Sequence, residues 1–181
     1  MGFIERFDME YKKIWVTSDL HFSHKNILLY ENRPWDTVEE MNEALIERWN
    51  SVVGPSDRVY LLGDIHFGSK KNIELVGRLN GRKVLIKGNH DNQKIQEYLK
   101  YFDDVRGCVE RYGYILTHIP VHPNEQNRYK GNIHGHLHRD VIVNSNGELD
   151  NWYFNACVER NNYTPVLLEN IIKDWYKEGN N

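Results

Sequence analysis

Three short apolar runs in the first half of the chain each stop abruptly on polar residues. Residues 14–18 (Ile-Trp-Val-Thr-Ser) lead to Asp19 and His21, residues 58–62 to Gly63 and Asp64, and Val84-Leu85-Ile86 to Lys87, Gly88, Asn89, His90 and Asp91. Runs of this length, rich in β-branched residues and closed by glycine, predict buried strands, with Gly88 permitting a turn that a residue with a Cβ resists. Between the first two lies the best-marked helix. Thr37 and Glu40 form an S/T-x-x-E capping box, and Val38, Met41, Leu45, Trp49 and Val52 recur at steps of three and four. Residues 25–30 read as a short helix, and residues 72–79 and 93–101 have helical character, so the first half reads βαβαβα, with parallel strands joined by helices. The texture then changes. Strand-like runs at 105–109, 114–117, 132–134, 141–143 and 153–158 are punctuated by Gly113, Gly131 and Asn146-Gly147, and residues 167–176 form a closing amphipathic helix. The pattern predicts two packed sheets with helices outside.

Length and composition narrow the class. At 181 residues, with 40% hydrophobic and 27% charged, the chain is sized for a single globular domain over residues 1–181. A net charge of -3 argues against a general nucleic-acid or membrane binder, because both partners reward a basic surface. Cys108 and Cys157 show no C-x-x-C spacing and read as two buried free thiols in a reducing compartment. Residues 1–13 carry no apolar signal segment and no stretch approaches 18 apolar residues, so the expectation is a soluble, cytoplasmic protein.

Chemistry gathers where the apolar runs end. Of nine histidines, His21, His90, His118, His136 and His138 all sit at such endings, beside Asp19, Asp64 and Asn89. Five endings on five strands converge only if one sheet edge holds one site, and that edge is where open α/β sheets bind ligands. Mixed imidazole, carboxylate and amide donors suit Mn, with Fe, Zn or Ni as alternatives, rather than a calcium cage or thiolate zinc. So many donors exceed one tetrahedral ion. Two divalent ions sharing a carboxylate is the economical reading.

Asp19-x-His21, Gly63-Asp64, Gly88-Asn89-His90-Asp91, His118 and Gly135-His136-x-His138 resemble, in order and separation, the five motifs of the calcineurin-like metallophosphoesterases. The resemblance covers nearly the whole chain. It implies an α/β fold, a four-layer α-β-β-α sandwich of two mixed sheets. It also implies that Asp19, His21, Asp64 and His138 hold one metal and Asp64, Asn89, His118 and His136 the other. His90 would face the substrate, oriented by Asp91. Two cations about 3.5–4 Å apart clamp a phosphoryl group and lower the pKa of a bridging water. The resulting hydroxide would attack phosphorus in line while His90, as general acid, protonates the leaving oxygen, a role worth about 10²–10⁴ in rate.

Other residues carry weaker signals. His24 is a candidate substrate contact, as are Arg33, Arg128 and Arg160 in loops near strand ends; His66 reads as either a support to the ligands or a packing residue, and His122 and His134 read as structural. The expected substrate is a small phosphodiester or nucleotide, with phosphoprotein phosphatase as the runner-up and a non-catalytic binding module as the rival of another class. A nuclease would need a basic groove, which the charge balance does not suggest. Residues 120–131, the longest insertion near the site, are too few for a cap domain, so diesters are expected to be accepted at least as readily as monoesters.

Overall fold

The computed structural model describes residues 12–178. Its first sheet contains β1 (Ile14–Thr17), β2 (Arg58–Leu61), β3 (Arg82–Ile86), β4 (Asp104–Arg106) and β9 (Val166–Leu167), in the order β4-β3-β2-β1-β9. β1 to β4 run parallel, and β9 lies antiparallel to β1. The second sheet holds β5 (Cys108–Arg111), β6 (Tyr114–Thr117), β7 (Gly131–His134) and β8 (Tyr153–Asn155) in that order. Here β5 is antiparallel to β6, and β6, β7 and β8 are parallel. This is the α/β sandwich of two mixed sheets that the sequence predicts.

The two-residue period of a strand assigns each apolar side chain to a layer. Trp15, Val59, Leu61 and Leu85 face outward onto Met41, Leu45 and Trp49 of α2 (Val38–Val52), together with Ile27 and Leu28 of α1 (Ile27–Tyr30) and Tyr98 of α3 (Ile95–Tyr98). Their neighbours Val16, Tyr60, Leu62, Val84 and Ile86 face inward onto Val109, Tyr114, Leu116 and Ile133 of the second sheet. Leu168 and Ile171 of α4 (Leu168–Glu178) join this inner cluster. Each fully buried side chain of this kind contributes roughly 1.5–3 kcal/mol. α2 starts as its sequence indicates: Thr37 Oγ1 accepts the Glu40 N–H at 3.2 Å, although the Glu40 carboxylate takes the Asp36 N–H rather than that of Thr37.

Several expected elements differ. The run 105–109 is two strands in different sheets, because Val105 packs with the outer cluster and Val109 with the inner one, and the chain crosses at Gly107. Residues 141–143 form no strand; Val143 only bridges Leu149 across the Asn146-Gly147 turn, and Val141 and Val143 stay exposed. Of 153–158 only Tyr153–Asn155 is extended, and the helical stretch near 72–79 is a 3₁₀ helix over Lys70–Arg78. β9 was not anticipated: two residues that run straight into a helix leave no alternation to read. Cys157 is buried but Cys108 is exposed, correcting the expectation of two buried thiols.

Candidate metal centre

All seven expected ligands lie just beyond strand ends: Asp19 and His21 after β1, Asp64 after β2, Asn89 after β3, His118 after β6, and His136 and His138 after β7. The loops that carry them are laced together. Asp19 N–H donates to Gly63 O at 3.1 Å, His21 N–H to Asp64 O at 3.0 Å, and Gly135 N–H to His118 O at 2.9 Å. Close approach depends on glycine, with Gly88 and Gly135 among the positions that require it. A Cβ on Gly88 would collide with the Asp64 carboxylate, and one on Gly135 would run into the Ser18 hydroxyl and come within 2.5 Å of Asp19 Oδ2. Five of the seven, Asp19, His21, Asp64, His136 and His138, have left-handed backbones, with φ of 59°, 50°, 52°, 71° and 49°. For residues with a Cβ this costs of order 1–3 kcal/mol each, a strain that concentrates at functional sites.

Two sets of donor atoms result. Asp19, His21 and His138 bring ligand atoms within 4.8 Å of one another, and so do Asp64, His118 and His136. In each carboxylate one oxygen is held and the other is open. Asp19 Oδ2 receives the His136 N–H at 2.9 Å and the Cys157 S–H at 3.2 Å, with the Ser18 hydroxyl at 2.5 Å. Asp19 Oδ1 is buried without a hydrogen-bond partner, 3.6 Å from His21 Nε2 and 3.8 Å from His138 Nε2. Asp64 Oδ1 accepts the His90 N–H at 2.8 Å, leaving Oδ2 at 3.7 Å from His21 Nε2 and 3.5 Å from His118 Nε2. One oxygen therefore faces both sets.

Tautomers fit a cation. His118 Nδ1 lies 2.7 Å from the Leu62 carbonyl, which can only accept, so Nδ1 carries the proton and the neutral ring presents a bare Nε2. That lone pair faces Asn89 Oδ1 at 2.9 Å, acceptor against acceptor, an arrangement a cation between them resolves. His138 Nδ1 lies 3.1 Å from Glu159 Oε1, which turns its Nε2 toward Asp19 in the same way. Both His21 ring nitrogens are buried without a partner. An orphaned buried imidazole beside a carboxylate oxygen that is also orphaned is costly unless an ion occupies the gap. Burial raises the Asp19 pKa, but the His21, His118 and His138 imidazoles together outweigh this and hold the carboxyl below its usual range. Burial opposes the charged form of His138, yet the Glu159 hydrogen bond and the carboxylates of Asp19, Glu159 and Glu31 together leave its pKa raised.

The family model for calcineurin-like phosphoesterases matches residues 12–181. The chain belongs to the calcineurin-like phosphoesterase family. It is 39% identical over 176 residues to an uncharacterized protein of Methanocaldococcus jannaschii, covering 91% of this chain and 92% of that one. It is 35% identical over 164 residues to the gene 66 protein of Mycobacterium phage L5, covering 71% and 79%. Among solved structures, a protein of unknown function from Aquifex aeolicus superposes with a TM-score of 0.70 at 25% identity, over 89% of this chain and 98% of that one.

Within this calcineurin-like phosphoesterase the remaining candidates divide. His90 stands beside the centre with a half-exposed side chain, its Nε2 4.0 Å from Asp64 Oδ2. Asp91 does not orient it. The Asp91 carboxylate is buried and accepts the backbone N–H groups of Asp64, Ile65 and Gly88 at 2.9, 3.1 and 2.8 Å, so it ties the β2 and β3 loops together. Arg33 is no phosphate contact either: it is buried, paired with Glu159 at 2.5 Å, and donates to the carbonyls of Asp19 and Leu20. Arg160 lines a separate cavity of about 300 Å³ to which none of the seven contributes, and exposed Arg128 lies over the Tyr129 ring. His24 does border the centre, its ring 5.3 Å from that of His21. His134 is buried with Nδ1 2.8 Å from the Gly135 carbonyl, His66 is buried with neither ring nitrogen hydrogen-bonded, and His122 caps a 3₁₀ turn by accepting the Asn124 N–H. Sequence reading missed Ser18, Cys157 and Glu159, which hold the ligands from behind.

Proposed function

We propose that this chain is a two-metal phosphoesterase, with manganese the first candidate ion, acting on small phosphodiesters or nucleotides. The observation that carries the reading is Asp64 Oδ2, a single open oxygen 3.7 Å from His21 Nε2 and 3.5 Å from His118 Nε2. Asp19, His21, Asp64 and His138 would hold one ion, and Asp64, Asn89, His118 and His136 the other. When bound, the two ions supply positive charge to the phosphoryl oxygens and acidify a water at neutral pH. His90, outside both sets and half-exposed with Nε2 4.0 Å from Asp64 Oδ2, would donate a proton to the leaving oxygen. The Asp64 carboxylate steadies it twice, accepting its backbone N–H and facing its ring. Asn89 presents its amide oxygen from the same turn.

Metal counting and kinetics test this together. Protein stripped by chelation and reloaded with Mn²⁺ is expected to bind two ions per chain and to hydrolyse bis(p-nitrophenyl) phosphate, whereas Asp64→Asn loses affinity at both positions. A stoichiometry of one that Asp64→Asn leaves unchanged would refute the assignment. His90→Ala is expected to retain both ions and lose about 10²–10⁴ in turnover, most with poor leaving groups. Equal losses on good and poor leaving groups would mean that His90 only binds substrate. With Arg33 engaged internally, a strong preference for monoesters is not expected; catalytic efficiency on p-nitrophenyl phosphate against the diester measures it.

A further inference from the structure

A cavity of about 370 Å³ opens beside the centre, walled on one side by His21, His90 and His138 and on the other by His24, Tyr30, Glu31 and Phe67. This is the lower end of the range for small-molecule sites, about 300–1,000 Å³. Its far wall is aromatic. The Phe67 ring stacks on His24 at 4.0 Å with a 20° interplanar angle, and the His24 ring lies 5.3 Å from that of His21. Phe67 keeps 42% of its surface exposed and Tyr30 70%, although both flank a site of buried polar chemistry. Phe67 is held in place by backbone: its N–H donates to Phe22 O at 3.0 Å, and its carbonyl accepts from Asn72 Nδ2 at 2.7 Å. The Phe67 ring also lies 5.8 Å from the ring of His90, so the aromatic surface adjoins the proposed proton donor, on the side where a leaving group would sit.

Charge selects among occupants. The cavity lining contains Glu31 and neither lysine nor arginine. A second phosphate or a continuing polynucleotide would meet the Glu31 carboxylate, with Arg139 Nε 4.0 Å away but outside the cavity lining. A neutral planar ring would instead gain a stacking surface at no electrostatic cost.

Building on the phosphoesterase reading above, we infer that this cavity is a ring subsite: Phe67, stacked on His24, receives an uncharged aromatic or heterocyclic group esterified to the phosphate, with a nucleoside or aryl ester as the substrate class. Phosphonates test it without hydrolysis, because the P–C bond is not cleaved. Affinities of phenylphosphonate, methylphosphonate and 4-carboxyphenylphosphonate for the Mn²⁺-loaded protein are measured by calorimetry. The phenyl compound is expected to bind about tenfold more tightly than the methyl compound, toward the lower end of what stacking on an aromatic side chain contributes. Phe67→Ala should abolish that ratio. The 4-carboxyphenyl compound should lose the advantage in the unaltered protein and regain it in Glu31→Gln. Equal binding of phenyl and methyl phosphonates, or a phenyl advantage that survives Phe67→Ala, would overturn the subsite. Failure to hydrolyse any ester would count against the activity alone, since the phosphonate ratios do not depend on turnover.

Discussion

Glu159 shows how much one side chain can organise. It accepts from the guanidinium of Arg33 and faces His138 Nδ1, while Arg33 in turn fixes the carbonyls of Asp19 and Leu20. Removing its charge leaves the donors of the first cation set present but poorly aimed, and carboxylates behind ligating histidines are typically worth about 10–100-fold in metal affinity. Glu159→Gln is therefore expected to weaken the Asp19–His21–His138 position selectively, read as one affected step in a two-step Mn²⁺ titration. Arg33→Met should act differently, because it strands a buried carboxylate. A loss of about 3–5 kcal/mol in denaturant unfolding is expected. Cys157 gives a third residue-scale expectation. Burial, reinforced by the neighbouring Asp19 carboxylate, pushes its thiol far above the usual range, while Cys108 is exposed. Iodoacetamide should then modify one thiol per folded chain, at Cys108, and two after unfolding.

At the scale of elements, the turns after β2, β3 and β7 matter more than the strands. Gly88→Ala should leave β3 intact yet displace Asp64, because the new methyl group collides with that carboxylate. Loss of Mn²⁺ binding with little change in circular dichroism is the expected result. Thr37→Ala, remote from these turns, should cost about 1 kcal/mol of stability through the lost helix cap and leave metal binding unaltered. The strand ends and α2 were legible because their signals are local: a continuous short apolar run that stops near Gly63, Gly88 or His118, and a period-3.6 stripe from Val38 to Val52. Glu159 was not, since its partner Arg33 lies 126 residues away and nothing near either announces the pair. Neither were the left-handed backbones at Asp19, His21 and Asp64, because residues with a Cβ rarely adopt them. Asp91 was misread because its carboxylate turns to the backbone N–H groups of Asp64, Ile65 and Gly88 rather than to the adjoining His90 ring.

At the scale of the molecule, the two sheets meet through an inner cluster built from Val16, Leu62, Ile86, Leu116 and Ile133, and the cation sets sit at one end of that junction. Asp19 and His21 come from the first sheet and His138 from the second; Asp64 and Asn89 come from the first, His118 and His136 from the second. An ion at either proposed position would thus be a rivet across the seam, and opening the sandwich would have to break its coordination. Mass action then ties unfolding to free metal concentration: at about 100 times the dissociation constant one site adds about 2.7 kcal/mol, which for a chain of this length is about 5–11 °C in Tm. Thermal melts at graded Mn²⁺ should climb accordingly, and Asp64→Asn should flatten the climb. A melting temperature indifferent to Mn²⁺ would mean that the seam is held by its apolar cluster alone.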